Sequence, residues 1–344
     1  MLLGLAVLAL LAAATIAHYL FWSWRLWVPA SEDELLHART ADGWTLTLAR
    51  RRPQGPARRL PVLLVHGLAV NRRFLDFGGR HSLSAFLAAA GFDCFALDLR
   101  GHGGSRGPAG DWCFDDYLRQ DLPAALAEVA RTTGAQRVLL LGHSQGALLS
   151  LLTAALRPDE VAGVVALAGP AHLGPGLLAS TRLAFAVRSW ARFLARMVAP
   201  LTGYLHLAAA QVSINTRNVE RPVLQRFLAT AVENVSQGVA AQLRGWMASG
   251  RFASRDGAVD YRALLGVARA PALFVAAELD GLAPPAAVRA GHDAWGGPRT
   301  WLLASVAEGY GADYGHGDLV FGRRAPEEIY PRLSQWMGEV DSRS

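Results

Sequence analysis

The chain has 344 residues, is 52% hydrophobic and carries a formal charge of +6, and all 34 of its basic residues are arginine. That length holds one large α/β domain with an insertion, and the apolar content excludes a disordered chain. No dense basic run alternates with aromatics, so nucleic acid is not expected as a partner.

From Leu2 to Trp24 the chain is apolar apart from Thr15, His18 and Ser23. About 20 helical residues cross the hydrocarbon layer of a bilayer. Residues 1–28 are therefore expected to form a membrane anchor. Tyr19, Trp22, Trp24 and Trp27 gather around Arg25, the composition of a membrane–water interface. A cleaved signal peptide would want a basic start and a polar region before cleavage. Here the first basic residue is Arg25, and bulky aromatics follow Ala17. The expectation is an uncleaved single-pass anchor, with Arg25 on its C-terminal flank pointing to a cytoplasmic catalytic domain.

Ser31–Leu36 reads as a short polar linker, and Gly43–Arg50 alternates like an early antiparallel strand. Short apolar strands then alternate with helical stretches: Leu60–Val65, Phe92–Leu97, Val138–Leu141, Val161–Leu167, Ala272–Ala276 and Thr300–Leu303. Unbroken apolar strands separated by helices imply a parallel sheet covered on both faces. Between Gly169 and about Ala270 the pattern turns mostly helical. The two cysteines show neither a disulfide framework nor a zinc spacing: Cys94 lies in a strand-like run and Cys113 in a loop.

The strongest local signal is Gly142-His143-Ser144-Gln145-Gly146, between the apolar run Val138–Leu141 and a helix-forming stretch. Strand, G-x-S-x-G, helix is the context of a nucleophile elbow, where the turn is too tight for side chains two residues either side of the serine. A serine hydroxyl needs a base within hydrogen-bond reach, and the base needs an orienting carboxylate. In hydrolases with this elbow the order along the chain is Ser, acid, His. Asp280 follows the strand Ala272–Ala276 and is the acid candidate; Glu278 ranks below it. His316, between glycines after the last strand, is the base candidate among ten histidines. His143 is expected to point away from the hydroxyl and pack. His172, His206 and His292 lack strand-end contexts.

Val62–Val65 runs into His66-Gly67-Leu68, so the backbone N–H groups of Leu68 and Gln145 are the candidate oxyanion hole. His66 braces the loop or is simply structural. Asp98–Ser105 is glycine-rich but lacks the Gly-Lys-Ser/Thr of a P-loop and opens no helix. Asp98 and Arg100 are expected to hold that loop, and Asp318 to be structural.

In order, HGLAVNR from His66, DLRGHGGS from Asp98, GHSQG from Gly142, ELDGLAP from Glu278 and YGHGDLVFG from Tyr314 resemble the α/β-hydrolase superfamily. The last motif looks like the acid-lipase and polyhydroxyalkanoate synthase/depolymerase branch. Synthases of that branch carry Cys at the elbow and haloalkane dehalogenase relatives carry Asp, whereas Ser144 argues for hydrolysis. The resemblance implies a mostly parallel sheet flanked by helices, with a core of residues 37–170 and 271–340 and a helical cap or lid at 171–270. It implies a serine esterase or lipase that needs no metal or organic cofactor and acts on a small, hydrophobic ester. Leu177, Leu178, Trp190, Phe193, Leu194, Leu205 and Trp246 would line an apolar lid. An acyltransferase with the same triad, or a non-catalytic receptor on this fold, are the alternatives.

Overall fold

Strands such as Val62–Val65 and Val161–Leu167 have no polar alternation, so water must be kept from both of their faces. The computed structural model describes residues 2–29, 31–174, 186, 188–204 and 213–344. It contains strands β1 (Glu34–Arg39), β2 (Thr45–Arg51), β3 (Val62–Val65), β4 (Cys94–Asp98), β5 (Val138–His143), β6 (Val161–Leu167), β7 (Ala272–Ala277) and β8 (Arg299–Ala304). They form one sheet in the order β1-β2-β4-β3-β5-β6-β7-β8. β1 and β2 are antiparallel to their neighbours, and every later pairing is parallel. All of β3 to β7 is buried, as the apolar runs require.

The strand order reverses direction between β3 and β5. Chains leaving two such strands diverge at their carboxyl ends and open a crevice. The loops after β3 and β5, carrying Leu68 and Ser144, therefore start at the same rim.

The main helices are α1 (Leu2–Arg25), α2 (Leu83–Ala89), α3 (Leu122–Thr133), α4 (Gln145–Leu156), α5 (Ala191–Val198), α6 (Gln237–Ser249), α7 (Pro285–Ala294) and α8 (Tyr330–Arg343). α4 lies against β3, β5 and β6, while α2 and α8 touch each other and cover β2, β4 and β6. α5 and α6 belong to the insertion between β6 and β7. The described residues of the insertion also form the short helices Arg221–Arg226 and Tyr261–Leu265, 3-10 turns at Ala199–Leu201 and Thr216–Asn218 and a π-helical turn at Phe227–Ala231, and include no named strand. Leu177, Leu178, Leu205 and His206 lie outside the described residues.

α1 is long and apolar enough to cross a membrane by length and composition. Its last turns rest on the insertion. Tyr19 stacks on Phe193 at 5.7 Å, Arg196 donates to the Tyr19 hydroxyl at 2.6 Å, and His18 Nε2 donates to the Met197 carbonyl at 3.0 Å. Trp22 and Leu26 pack with Ala199, Leu228 and Ala229.

One expectation changes. Ser31–Leu36 is not a linker, because its second half is the edge strand β1, whose ladder runs from Glu34↔Arg50 to Arg39↔Thr45. Its acids suggested solvent, yet Glu34 pairs with Arg50 and Arg52 at 3.2 and 3.1 Å, and Glu32 pairs with Arg72 at 3.3 Å. At the other end, a short helix, Asp318–Phe321, follows directly behind His316. Cys113 caps the short helix Phe114–Asp116, and both cysteines are free and buried.

Candidate active site

β5 ends at His143, α4 begins at Gln145, and Ser144 makes the whole turn with φ +57°. That left-handed conformation is costly for a non-glycine residue and persists only where its surroundings enforce it. The flanking glycines do so sterically. A Cβ on Gly142 would stand 2.1 Å from the Gly146 carbonyl oxygen, and one on Gly146 would stand 2.2 Å from the Val65 carbonyl oxygen. The Ser144 N–H donates to the Leu167 carbonyl at 2.8 Å, which ties the turn to β6.

Asp280 and His316 come from loops after β7 and β8, and they meet. His316 Nδ1 donates to Asp280 Oδ2 at 2.7 Å. The other carboxylate oxygen accepts the N–H groups of Leu282 and Ala283 at 2.8 and 2.7 Å. A fully buried carboxylate is thus satisfied on both sides and aimed at one ring nitrogen. His316 and Ser144 line the same cavity. No hydrogen bond joins them; such contacts often tighten only around substrate.

His143 packs, as its neighbour position suggests, with its ring 4.5 Å from Phe74 and 4.6 Å from His316. It also does something the motif did not reveal. Its Nε2 donates to the backbone carbonyl of His316 at 2.9 Å. Burial holds its pKa well below the usual histidine value, so it serves as a neutral brace.

The His316 loop has a second support. Asp318 accepts the N–H groups of Asn215 and Gly315 at 3.0 and 2.9 Å, and the Asn218 amide at 2.9 Å. Both asparagines belong to the insertion, and no local motif marks them.

On the facing loop, His66 is fully buried and its pKa is pushed down to about 3, chiefly by desolvation. It accepts the Leu99 N–H at Nε2 (3.1 Å) and donates from Nδ1 to the Gly67 carbonyl (2.9 Å). This neutral brace holds Gly67 so close that a Cβ there would stand 3.2 Å from Ser144 Cβ. Leu68 and Gln145 both line the cavity, and neither backbone N–H donates to a protein acceptor among the described residues. Ala69 follows with φ +58°.

The glycine-rich loop is filled by protein. Asp98 accepts the backbone N–H groups of Arg72 and Gly104 and pairs with the Arg72 guanidinium. Arg100 is held by Asp121 at 2.8 Å and Asp42 at 2.7 Å. A Cβ at Gly103 would fall 2.2 Å from Asp98 Oδ2, so the space a phosphate would need belongs to a carboxylate.

Glu278 is exposed, and its N–H donates to the Ala304 carbonyl. His172 contacts Arg262, and His292 contacts Asp293. Among the described residues no three His, Cys, Asp or Glu side chains cluster as metal ligands.

The cavity over Ser144 has a volume of about 520 Å³. Beyond Ser144, Gln145 and His316 its wall is mostly apolar, with Phe74, Leu148, Phe227 and Phe321 among its lining and Leu243, Trp246 and Met247 from α6. That is the size and character of a small-molecule site. A wider cleft of about 750 Å³ lies at the amino-terminal ends of β6 and β7, lined by Arg137, Trp301 and Trp336, away from Ser144.

Residues 61–305 match the family model described as alpha/beta hydrolase fold. The chain belongs to this family. Among curated α/β hydrolases it is 33% identical over 150 residues to Lipase 1 of Drosophila melanogaster, covering 40% of this chain and 34% of that one. It is 36% identical over 129 residues to a triacylglycerol lipase of Pseudomonas fragi, covering 37% and 40%. It is 38% identical over 111 residues to epoxide hydrolase A of Mycobacterium tuberculosis, covering 32% of each. The matched part thus spans about a third to two-fifths of these relatives' length. Among solved structures, a thermophilic esterase from Thermogutta terrifontis superposes with a TM-score of 0.60 at 21% identity, over 90% of this chain and 99% of that one. A membrane phospholipase A described as a bacterial virulence factor gives 0.60 at 16% identity, over 98% of both. Both likenesses are of fold.

Proposed function

We propose that this α/β hydrolase cleaves carboxylic esters with hydrophobic acyl groups, using Ser144, His316 and Asp280 as its triad. The observation that carries this reading is the shared cavity. A serine on a strained elbow and a carboxylate-held histidine line one mostly apolar chamber of about 520 Å³. The lipase and esterase relatives support the same chemistry.

His316 Nε2 takes the Ser144 proton as the oxygen attacks the ester carbonyl. The carbonyl oxygen becomes an oxyanion, which the N–H groups of Leu68 and Gln145 stabilise at the start of α4. Collapse of this intermediate expels the alcohol, protonated by His316, and leaves an acyl-serine. Water then attacks, again giving its proton to His316, and the acid leaves with Ser144 restored. Asp280 orients the imidazole and offsets the charge it gains in each step. An Asp nucleophile, as epoxide opening uses, is not what the elbow carries.

The insertion at 171–270 acts as a cap over a core of residues 37–170 and 271–340. α1 is kept as a membrane anchor rather than removed, since its last turns pack on the insertion. The test is hydrolysis of p-nitrophenyl esters from acetate to palmitate by the full chain in detergent, beside Ser144→Ala. Loss of activity by a factor on the order of 10⁴–10⁶ in the variant supports the nucleophile. Activity that survives the substitution sinks it. An added alcohol acceptor tests for acyl transfer: ester product in place of free acid would assign that activity instead.

A further inference from the structure

We propose that the outer face of α5 and the turn after it dock onto the bilayer that holds α1, and that the ester enters the cavity from that bilayer past Leu194. The substrate part rests on the ester-hydrolase reading above; the docking part does not.

The first observation is where apolar surface lies. Among the described residues beyond Trp27, eleven large apolar side chains are exposed, and six of them fall between residues 190 and 204. These are Trp190, Phe193, Leu194, Val198, Leu201 and Tyr204. Steps of three and four along α5 place Trp190, Phe193, Leu194 and Val198 on one helical face. The other five are scattered singly, as is ordinary for a soluble surface.

The second observation is depth. α1 has 24 residues, so at 1.5 Å per residue it is about 36 Å long, against a hydrocarbon layer of about 30 Å. Its last turn therefore rises out of the hydrocarbon, and the turn that includes Tyr19 and Trp22 reaches the boundary. That is where α5 touches it, through Phe193, Arg196 and Met197. A helix seated on the anchor at that level lies beside the headgroups.

The third observation is charge. Arg192 and Arg196 stand on α5 itself, paired with Glu233 and the Tyr19 hydroxyl, and Arg221 stacks over Tyr204 at 4.3 Å. Aromatic side chains interleaved with arginine match a bilayer surface with anionic headgroups. Finally, Leu194 is the one exposed side chain among the described residues that line the cavity. Leu194 thus belongs both to the cavity wall and to the docking face.

The test uses the full chain in vesicles of phosphatidylcholine with a minority of phosphatidylglycerol. An environment-sensitive fluorophore is placed at Trp190→Cys, at Leu201→Cys, and at Val267→Cys as a distant exposed control. The native Cys94 and Cys113 are buried. Labels at 190 and 201 should be quenched by nitroxide lipids and shielded from aqueous iodide, whereas the label at 267 should behave oppositely. Equal iodide access at all three positions overturns docking. Second, Trp190→Ser, Val198→Ser and Leu201→Ser are combined. Together they should lower hydrolysis of a vesicle-borne long-chain ester by about tenfold or more, with a soluble short-chain ester unaffected. An unchanged vesicle rate overturns loading from the bilayer, and equal loss on both esters points to damage of the fold. If no ester is hydrolysed even by the parent chain, the ester reading fails, while the label positions still decide docking.

Discussion

The Asn71 side-chain amide donates to Glu233 Oε1 at 2.8 Å, and that contact joins the insertion to the loop that carries Leu68. The main chain reinforces it with an antiparallel bridge between Val70 and Val232: Glu233 N–H donates to the Ala69 carbonyl at 2.8 Å, and Asn71 N–H donates to the Ala231 carbonyl at 3.0 Å. The second Glu233 oxygen accepts from Arg192 on α5 at 3.2 Å. A buried carboxylate thus holds a loop whose Ala69 sits at positive φ. Glu233→Ala should lower kcat on a soluble ester by about 10–100-fold with a smaller change in KM, because oxyanion contacts act mainly in the transition state. Glu233→Gln keeps an acceptor for Asn71 and should recover part of the loss. Separate kcat and KM values for both variants check this; a change confined to KM would remove the positioning role.

Asp280→Asn should leave the fold intact and reduce kcat by at least about 10²-fold. The amide loses the charge that favours the imidazolium, and the new N–H₂ group can face the ring nitrogen the wrong way. Steady-state kinetics beside a thermal melt would check it, and a nearly active, well-folded variant would remove Asp280 from the triad.

Gly146→Ala tests the elbow without touching a polar group. The added methyl would meet the Val65 and His66 carbonyl oxygens, at 2.2 and 2.5 Å. Destabilisation of about 3 kcal/mol or more is expected, at the upper end of overpacking costs. Denaturant unfolding in detergent measures it.

His66 predicts a pH effect with a definite sign. Its folded pKa is about 3 against the ordinary 6.5. Below pH 6.5 the unfolded chain binds a proton that the folded chain refuses. His66 therefore costs the parent protein about 1.4 kcal/mol per pH unit on acidification, down to the folded pKa. In His66→Asn that loss is missing. The variant should be less stable near neutrality, and the gap should narrow as pH falls. Asp318, raised to about 6 by burial, works in the opposite sense below its own folded pKa. The parent-minus-variant difference is therefore the quantity to follow, from about pH 7 to about pH 5. A gap that stays constant would mean that His66 is protonated in the fold.

The elbow was legible because its requirement is local: two glycines and a serine must lie within one turn, and Gly142 and Gly146 have no room for a Cβ. Asp280 and His316 stood out because each follows an apolar strand and so reaches the same rim. β1 was hidden because a ladder is made by main-chain groups, while the partners of its charged side chains lie 16 and 18 residues away in Arg50 and Arg52. Glu233, Asn215 and Asn218 carry no motif at all. They matter through contacts 162, 103 and 100 residues distant, which no spacing rule encodes. His143 was read from its neighbours as packing, while its hydrogen bond reaches a carbonyl 173 residues away.

Residues 26–28, directly after α1, are not a loose leash. Leu26 and Val28 are buried, Arg73 donates to the Val28 carbonyl at 2.6 Å and stacks over Trp27 at 4.4 Å, and Tyr19 is fastened to Arg196. An enzyme on a flexible string tumbles and must wait for its mouth to swing round to its food. Here the helix is a stalk fixed at one angle to the sheet. If a bilayer holds that stalk upright, as proposed above, the catalytic rim keeps only a spin about the stalk's own axis, and each molecule arrives already facing the right way.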